Sequence, residues 1–498
     1  MAEKHCSVTY VRVDVAYFEK RGLKRHAGVA SLWALGVGAV ISGHYSGWNF
    51  GLAHGFGPMF LATIIIGIMY LGLTFSIAEM SPALPHTGAA YSFARTAMGP
   101  WGGFVTGLAE NIEYVLTPAV INFFIGAYLT SIFGTDPAFQ PVYWIFGYVM
   151  FVGLNVAGVE LSFKFTVVIT LAALAVLLAF YVSAIPVFDF ARWNLNIGAG
   201  PDGAAVELAE GGGGWFPLGV GATLWALPFA VWLFLAIEQL PLAAEESHDP
   251  KRDMPRGIIL GILTLIVSAF CVLFLNSGVS PGAFGLSTSA EPLLDGFRAI
   301  YGGGLANVLA LIAVIGLVAS FHTIIFAYGR QIYSLSRAGY FPPALSVTHG
   351  TRKTPHVALV GGAVAGLAVM LIVWYSLGAE GAGSVIGATL LNMAVFGAMI
   401  AYIMQGIAYI LLKTYHPSIP RPYKSPLGSI GAGLTVVIAA VTLVAQFTDA
   451  SFRTAVVAVA IYYAVALAYF ALVGRHKLIL SPEEEFAVTK GEADYKTY

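Results

Sequence analysis

Gly36-Val37-Gly38-Ala39-Val40-Ile41-Ser42-Gly43-His44-Tyr45-Ser46-Gly47 decides how this chain is read, together with its counterpart Leu227-Pro228-Phe229-Ala230-Val231-Trp232-Leu233-Phe234-Leu235-Ala236-Ile237-Glu238. Each lies in an apolar run long enough to cross a bilayer, and each is poorly suited to a continuous helix. The first is rich in glycine and serine, and a glycine weakens a helix interior by up to ~1 kcal/mol. The second carries a proline, which removes a backbone donor and crowds the preceding turn, as well as bulky aromatics and an acid. Close packing through small residues accounts for the first stretch taken alone. Two such stretches, each in the first helix of a five-helix half, point instead to paired interrupted spans with a substrate site between them at the midplane.

The surroundings agree. Only 10% of the 498 residues are charged, against roughly 25% in soluble proteins, so most of the chain faces lipid or other apolar helices. Apolar runs fall near 28–50, 57–80, 101–132, 142–160, 165–185, 217–242, 257–279, 303–336, 356–377, 383–412, 428–447 and 454–474. A helical span takes about 20 apolar residues, and in hydrocarbon runs this long satisfy their backbone as helices, not strands. The expectation is an all-α membrane protein of twelve transmembrane helices with helices 1 and 6 broken. Residues 28–474 form the transporter domain. Repeat 1 covers about 28–185 and repeat 2, inverted, about 217–412, with extra helices in 428–474. Residues 1–27 form a polar N-terminal segment without a cleavable signal pattern, and the polar tail 475–498 reads as disordered.

Lysine and arginine set the orientation. With the N-terminus inside, 22 of the 25 fall on inner segments, and Arg192, Arg298 and Arg453 fall outside. Both termini are therefore expected in the cytoplasm. The loop 186–216 lies outside and the charged loop 243–256 inside. Cys6 and Cys271 lie at different depths, so no disulfide is expected.

The run Ala243-Ala244-Glu245-Glu246 through Asp249-Pro250-Lys251-Arg252-Asp253-Met254-Pro255-Arg256 resembles the span 6–7 signature of the amino acid–polyamine–organocation superfamily. Within it the chain looks most like the bacterial ethanolamine permeases. The likeness is carried by Val40-Ile41-Ser42-Gly43, Gly47-Trp48-Asn49-Phe50-Gly51, Gly99-Pro100-Trp101-Gly102-Gly103-Phe104 and Ile112-Glu113-Tyr114. It extends to Ala319-Ser320-Phe321-His322, Ser336-Arg337-Ala338-Gly339-Tyr340 and Pro482-Glu483-Glu484-Glu485-Phe486-Ala487. The resemblance implies a leucine-transporter-like fold and alternating-access import of a small organic amine, most simply ethanolamine, coupled to protons across a bacterial inner membrane. An amino acid permease or exchanger of the same fold is the alternative. Ile41 stands where amino acid transporters of the superfamily carry the first glycine of Gly-Ser-Gly, which fits a substrate without a carboxylate. Ala173 stands where some proton-coupled members have a lysine. His44 and Glu110 replace an acid and an apolar residue expected in close ethanolamine permeases.

Ionisable groups inside spans are costly and point to function. Glu110 and Glu113 are three apart on one helix and share a face; Glu113 is the candidate partner of a substrate ammonium, and a hydrogen-bonded structural acid is the alternative. Trp232 can attract an ammonium through its indole face by ~0.5–2 kcal/mol, and in the resembling transporters a tryptophan here stacks on substrate and gates access. Phe229 and Phe234 complete that wall. Carbonyls of Val40, Ile41, Phe229 and Ala230 are candidate acceptors, and Ser42, Gly43 and His44 line the same break. Glu238, Ser320 and His322 are candidate coupling or gating groups, with Glu238 alternatively a cap for loosened amides and His322 a structural histidine. Sodium coupling through span 1 carbonyls, Ser320 and Thr323 is a weaker option. Arg95, Arg330, Arg337, Glu245 and Glu246 form a candidate inner gate, or else snorkel to the interface.

Other classes fare worse. Gly278-Val279-Ser280-Pro281-Gly282 matches GxSxG and Gly198 to Gly203 matches GxGxxG, both without the strand–turn–helix context such chemistry needs. No enzyme activity, cofactor or metal is expected. No basic run interleaves with aromatics, so nucleic acid is not a partner. Paired broken helices suit a midplane site, not the continuous pore of a channel.

Overall fold

The computed structural model describes residues 2–5, 8–11, 13, 15–377, 383–449 and 452–489. Eleven helices are long and apolar enough to cross a membrane, and a shorter apolar segment, Val29–His44, adds to them. With that segment as span 1, the described residues make twelve spans. Span 1 is a helix over Val29–Val40, followed by tight turns over Ile41–His44 and Trp48–His54. Spans 2 to 5 are Phe56–Ala83, Ala89–Phe133, Gln140–Ala157 and Val159–Ala184. Span 6 is split into Thr223–Trp232 and Ile237–Glu246. Spans 7 to 12 are Pro250–Ser277, Gly303–Arg337, His356–Leu377, Gly383–Tyr415, Gly428–Thr448 and Arg453–Leu472.

Packing follows the repeat. Span 1 packs on span 7 as span 6 packs on span 2, and span 3 packs on span 10 as span 8 packs on span 5. These pairs exchange when spans 1–5 are mapped onto 6–10. Spans 3 and 8, equivalent to each other, also meet directly. Burial sorts centre from rim: 78% of the most apolar window in span 6 is buried within the protein, against 17% in span 12. The lipid-facing flanks of spans 4, 5, 7, 9, 11 and 12 show residues such as Val149, Val168, Val267, Ile372, Ile430 and Leu472. An apolar surface of this kind is stable only where the solvent is itself apolar.

Both expected breaks are present, with one shift. Pro228 sits inside an unbroken helix, and span 6 opens later, at Leu233–Ala236, where Ala236 adopts φ 83°. A non-glycine residue there stores strain that its surroundings must hold. Span 3 starts earlier than its apolar run, at Ala89, because a bend at Gly99 (φ 78°) joins a polar first turn to the apolar helix.

Two expectations about the flanks are corrected. The tail is not disordered through its described part: Leu478–Ile479 pairs in parallel with Val8–Val11, and Pro482–Thr489 is a helix with Glu483 and Glu484 fully buried. Residues 490–498 lie outside the described residues, as does Cys6. Short strands also occur outside the spans, including an antiparallel hairpin of Ile197–Ala199 with Ala205–Glu207. That hairpin contains the start of the GxGxxG match and is no part of a dinucleotide-binding unit. The rest of the 186–216 connection folds back on the bundle, with Phe190 and Trp215 ring centroids 5.2 and 5.6 Å from Phe56.

The two breaks touch. A Cβ placed on Gly43 would sit 2.2 Å from the Trp232 carbonyl oxygen, an approach that neither backbone can relieve by a rotamer change. Gly43→Ala is therefore expected to lower stability by about 1–3 kcal/mol, read as an earlier thermal midpoint of the detergent-solubilised protein; an unchanged midpoint would show that the two backbones are not in contact.

Candidate functional site

Unwound backbone at the breaks is satisfied by side chains from neighbouring spans. Ser320 on span 8 accepts from the Ser42 amide at 2.8 Å and donates to the Gly38 carbonyl at 2.6 Å, bridging the end of the span 1 helix. His44 contacts Ser268 Oγ on span 7 through Nδ1 at 2.8 Å and the Leu233 carbonyl through Nε2 at 3.0 Å, so it ties one break to the other. The Trp232 indole N–H donates to the Ser46 carbonyl at 3.0 Å. Glu238 turns one carboxylate oxygen onto the Ala236 amide at 3.1 Å, capping the strained residue.

The other oxygen of Glu238 belongs to a second assembly. Tyr114 donates to it at 3.4 Å, and Tyr114 is the residue next to Glu113 on span 3. Tyr402 on span 10 donates to Glu113 Oε1 at 3.2 Å, and its hydroxyl lies 3.0 Å from that of Tyr70 on span 2. Phe234 packs on the Tyr70 ring, 5.4 Å between centroids. One turn away, Glu110 accepts from Gln331 on span 8 at 2.9 Å. Glu110 and Glu113 are completely buried and Glu238 nearly so, and one oxygen each of Glu110 and Glu113 has no hydrogen-bond partner. Among the described residues, none of these three acids pairs with a lysine, arginine or histidine. Buried carboxylates without a counter-ion are expensive, so these acids are held either in the protonated form or against a cation.

Polar closures stand on both sides of it. On the face bearing both termini, Arg330 pairs with Glu246 at 2.9 Å, with its guanidinium 3.6 Å from the Phe326 centroid. Arg337 pairs with Glu245 at 2.7 Å and Glu483 at 2.9 Å, and Arg95 with Glu484 at 2.6 Å. These arginines are buried and paired; they do not snorkel. On the opposite face Arg298 bridges Glu291 at 3.0 Å and Ser131, at the end of span 3, at 2.7 Å. There Asn49 donates to the Leu286 and Ser289 carbonyls at 2.6 and 2.8 Å.

The amino acid permease family model matches residues 33–480, which spans both breaks, the acidic cluster and the closures apart from Glu483 and Glu484. The chain belongs to the amino acid permease family. Its relatives include an uncharacterised transporter of Rhizobium meliloti, 26% identical over 90% of this chain and 92% of that protein. A branched-chain amino acid permease of Bacillus subtilis is 24% identical over 84% and 87% of the two chains. A methylthioribose transporter of the same organism is 24% identical over 82% and 86%.

In this permease the other candidates are placed as follows. Phe229 packs edge-on against Phe50, 6.1 Å between centroids, and Ala230 accepts from Leu233 at 3.2 Å. Val40 and Ile41 are buried at the end of the first helix. His322 stands apart from the acids: Asn155 and Ser162, on spans 4 and 5, meet its two nitrogens at 3.1 and 3.0 Å. Thr323 donates to the Ala319 carbonyl within its own helix. Ala173 faces the span 1 break, with its carbonyl taking the Tyr45 hydroxyl at 2.7 Å. Tyr70, Tyr402 and Gln331 were not read from the sequence. Only Tyr114 had a signal, being next to Glu113 in a motif stretch; tyrosine in an apolar run is ordinary in membrane proteins.

Ser320→Ala leaves a buried amide and a buried carbonyl without partners. At ~1–3 kcal/mol for each such group, the thermal midpoint is expected to fall clearly, while Thr323→Ala, losing one bond inside its own helix, costs less. Equal midpoints for the two variants would count against the bridging role.

Proposed function

We propose that this permease imports a small organic amine, ethanolamine the leading candidate, by alternating access coupled to protons. The observation that carries the reading is the buried Glu113–Glu238–Glu110 cluster, which among the described residues has no cationic side chain paired to it and carries an unpartnered oxygen on Glu113. In this reading the substrate ammonium sits against Glu113, and the hydroxyls of Tyr402, Tyr70 and Tyr114 offer hydrogen bonds to the neutral end of the molecule. Trp232 and Phe234 form apolar walls. Ile41, in place of a glycine at the span 1 break, supports a substrate without a carboxylate. Three buried acids offer more negative charge than one ammonium balances, so Glu238 or Glu110 can hold a proton while Glu113 meets the ammonium. His322, bonded between spans 4 and 5, fits a structural part better than a proton carrier.

The charge map supports the orientation in this proposal. With the termini in the cytoplasm of a bacterial cell, the Arg330–Glu246 and Arg337–Glu245 pairs close the inner side and Arg298–Glu291 the outer. The alternative, an amino acid permease or exchanger, is favoured by the relatives named for amino acids, and the test separates the two.

The test is uptake of radiolabelled ethanolamine into proteoliposomes with and without an inward proton gradient, competed by amines and by zwitterionic amino acids. Saturable, gradient-stimulated uptake blocked by amines alone is the expected outcome. Competition by zwitterions without ethanolamine uptake would replace the amine reading with the amino acid one. Removing one partner of a buried charge pair costs ~3–5 kcal/mol, so Glu113→Gln is expected to weaken amine binding by at least about 100-fold while the protein stays folded. Calorimetric titration of a monodisperse variant checks this, and retained affinity would remove Glu113 from the site. Trp232→Ala is expected to weaken the same binding by roughly 2- to 30-fold.

A further inference from the structure

The C-terminal helix is positioned where the termini-bearing face must open. Glu484 is completely buried, and its carboxylate takes donors from Arg95 at 2.6 Å, Tyr10 at 2.6 Å, Tyr91 at 2.7 Å and Tyr340 at 3.0 Å. Its neighbour Glu483, also buried, accepts from Arg337 at 2.9 Å and from Ser334 at 3.1 Å. Arg337 is the span 8 arginine whose other contact, Glu245, closes the end of span 6. Phe486 on the same short helix packs on His86 in the connection after span 2, 5.5 Å between ring centroids. One segment of the tail thus bonds to spans 3 and 8 and touches the connection after span 2. Spans 3 and 8 pack on each other, while the broken spans pack on spans 2 and 7, span 1 also meeting spans 5 and 8.

In the alternating-access cycle proposed above, opening this face would part Glu245 and the end of span 2 from Arg337 and Arg95. The tail cannot stay bonded to both groups during that movement. Two glutamates inserted among arginines, with three tyrosine hydroxyls closing over one of them, are more than a surface helix needs to stay attached. Each bond held in the closed state and lost in the open one shifts the balance toward closed by its own differential free energy.

We propose that Pro482–Thr489 is a latch, an autoinhibitory segment of this chain that holds the termini-bearing gate shut and sets how often it opens. The proposal rests on alternating access and not on which substrate is carried. Neutralising the latch raises the share of molecules open on this face and lowers the share open on the other.

The test uses the full chain in proteoliposomes, in a background lacking Cys6 and Cys271, with a single reporter cysteine labelled by a membrane-impermeant maleimide from one side at a time. Ala243→Cys reports beneath the termini-bearing closure and Leu286→Cys beneath the opposite one; both positions are buried. The expected result for Glu483→Gln/Glu484→Gln is a several-fold faster reaction at 243 together with a slower reaction at 286. An unchanged rate at 243 overturns the latch. Faster reaction at both reporters also overturns it, because the tail would then only hold the fold together. Should the double variant not fold, Phe486→Ala decides, since it releases the contact at His86 with both buried carboxylates in place. It is expected to move the two reporters in the same opposite directions, and no movement rejects the proposal.

Discussion

A helix interrupted inside a bilayer leaves amide and carbonyl groups that no water reaches, and each must find its partner within the protein. The rest of this structure is arranged around that constraint. Ser320 bridges the Gly38 carbonyl and the Ser42 amide, His44 joins the span 1 break to the Leu233 carbonyl, and Glu238 takes the amide of strained Ala236. These partners come from spans 1, 6 and 8, so the breaks exist only because the repeats are packed together. Glu238 serves the break of its own span, but Ser320 and His44 each reach across to the break of the other half.

The same constraint explains why structure and function share residues. Glu238 holds a backbone amide with one oxygen and faces Tyr114, the neighbour of Glu113, with the other. A change in charge at the acidic cluster therefore acts on the backbone of span 6 through one carboxylate. In the proposed transport cycle Glu238 would be the group that links a bound cation to the break, because its bonds reach Ala236 and Tyr114.

Much of this was legible in the sequence, for specific reasons. Glycines and serines clustered in one apolar run, and a proline, aromatics and an acid clustered in another, mark the two breaks, and Glu110 and Glu113 stand out because ionisable groups in spans are costly. The exact opening of span 6 was not legible. Pro228 is the stronger local signal, but the helix runs past it and opens at Leu233–Ala236, where Glu238 two residues on and His44 from span 1 supply partners. Tyr70 and Tyr402 were hidden because tyrosine is common in spans and gains meaning only from its neighbour across the bundle. The tail was misread for a related reason: Glu483 and Glu484 look solvated in a polar segment, and only Arg337 and Arg95, more than a hundred residues earlier, make their burial possible.

The two closures differ in chemistry, and that difference has a mechanical consequence. The termini-bearing side is held by four acids shared among three arginines, all in buried or nearly buried contacts, so opening it exposes charges that water can hydrate. The opposite side relies on one partly exposed arginine and on side-chain amide bonds from Asn49 to backbone carbonyls. Breaking buried charge pairs without hydration costs several kcal/mol. The termini-bearing closure therefore has to yield as a unit, with water entering as the pairs part, whereas the opposite closure can loosen one bond at a time. In the proposed alternating-access cycle, cooperative release on one side and graded release on the other would leave few arrangements in which both faces are open together, the state that coupled transport has to exclude.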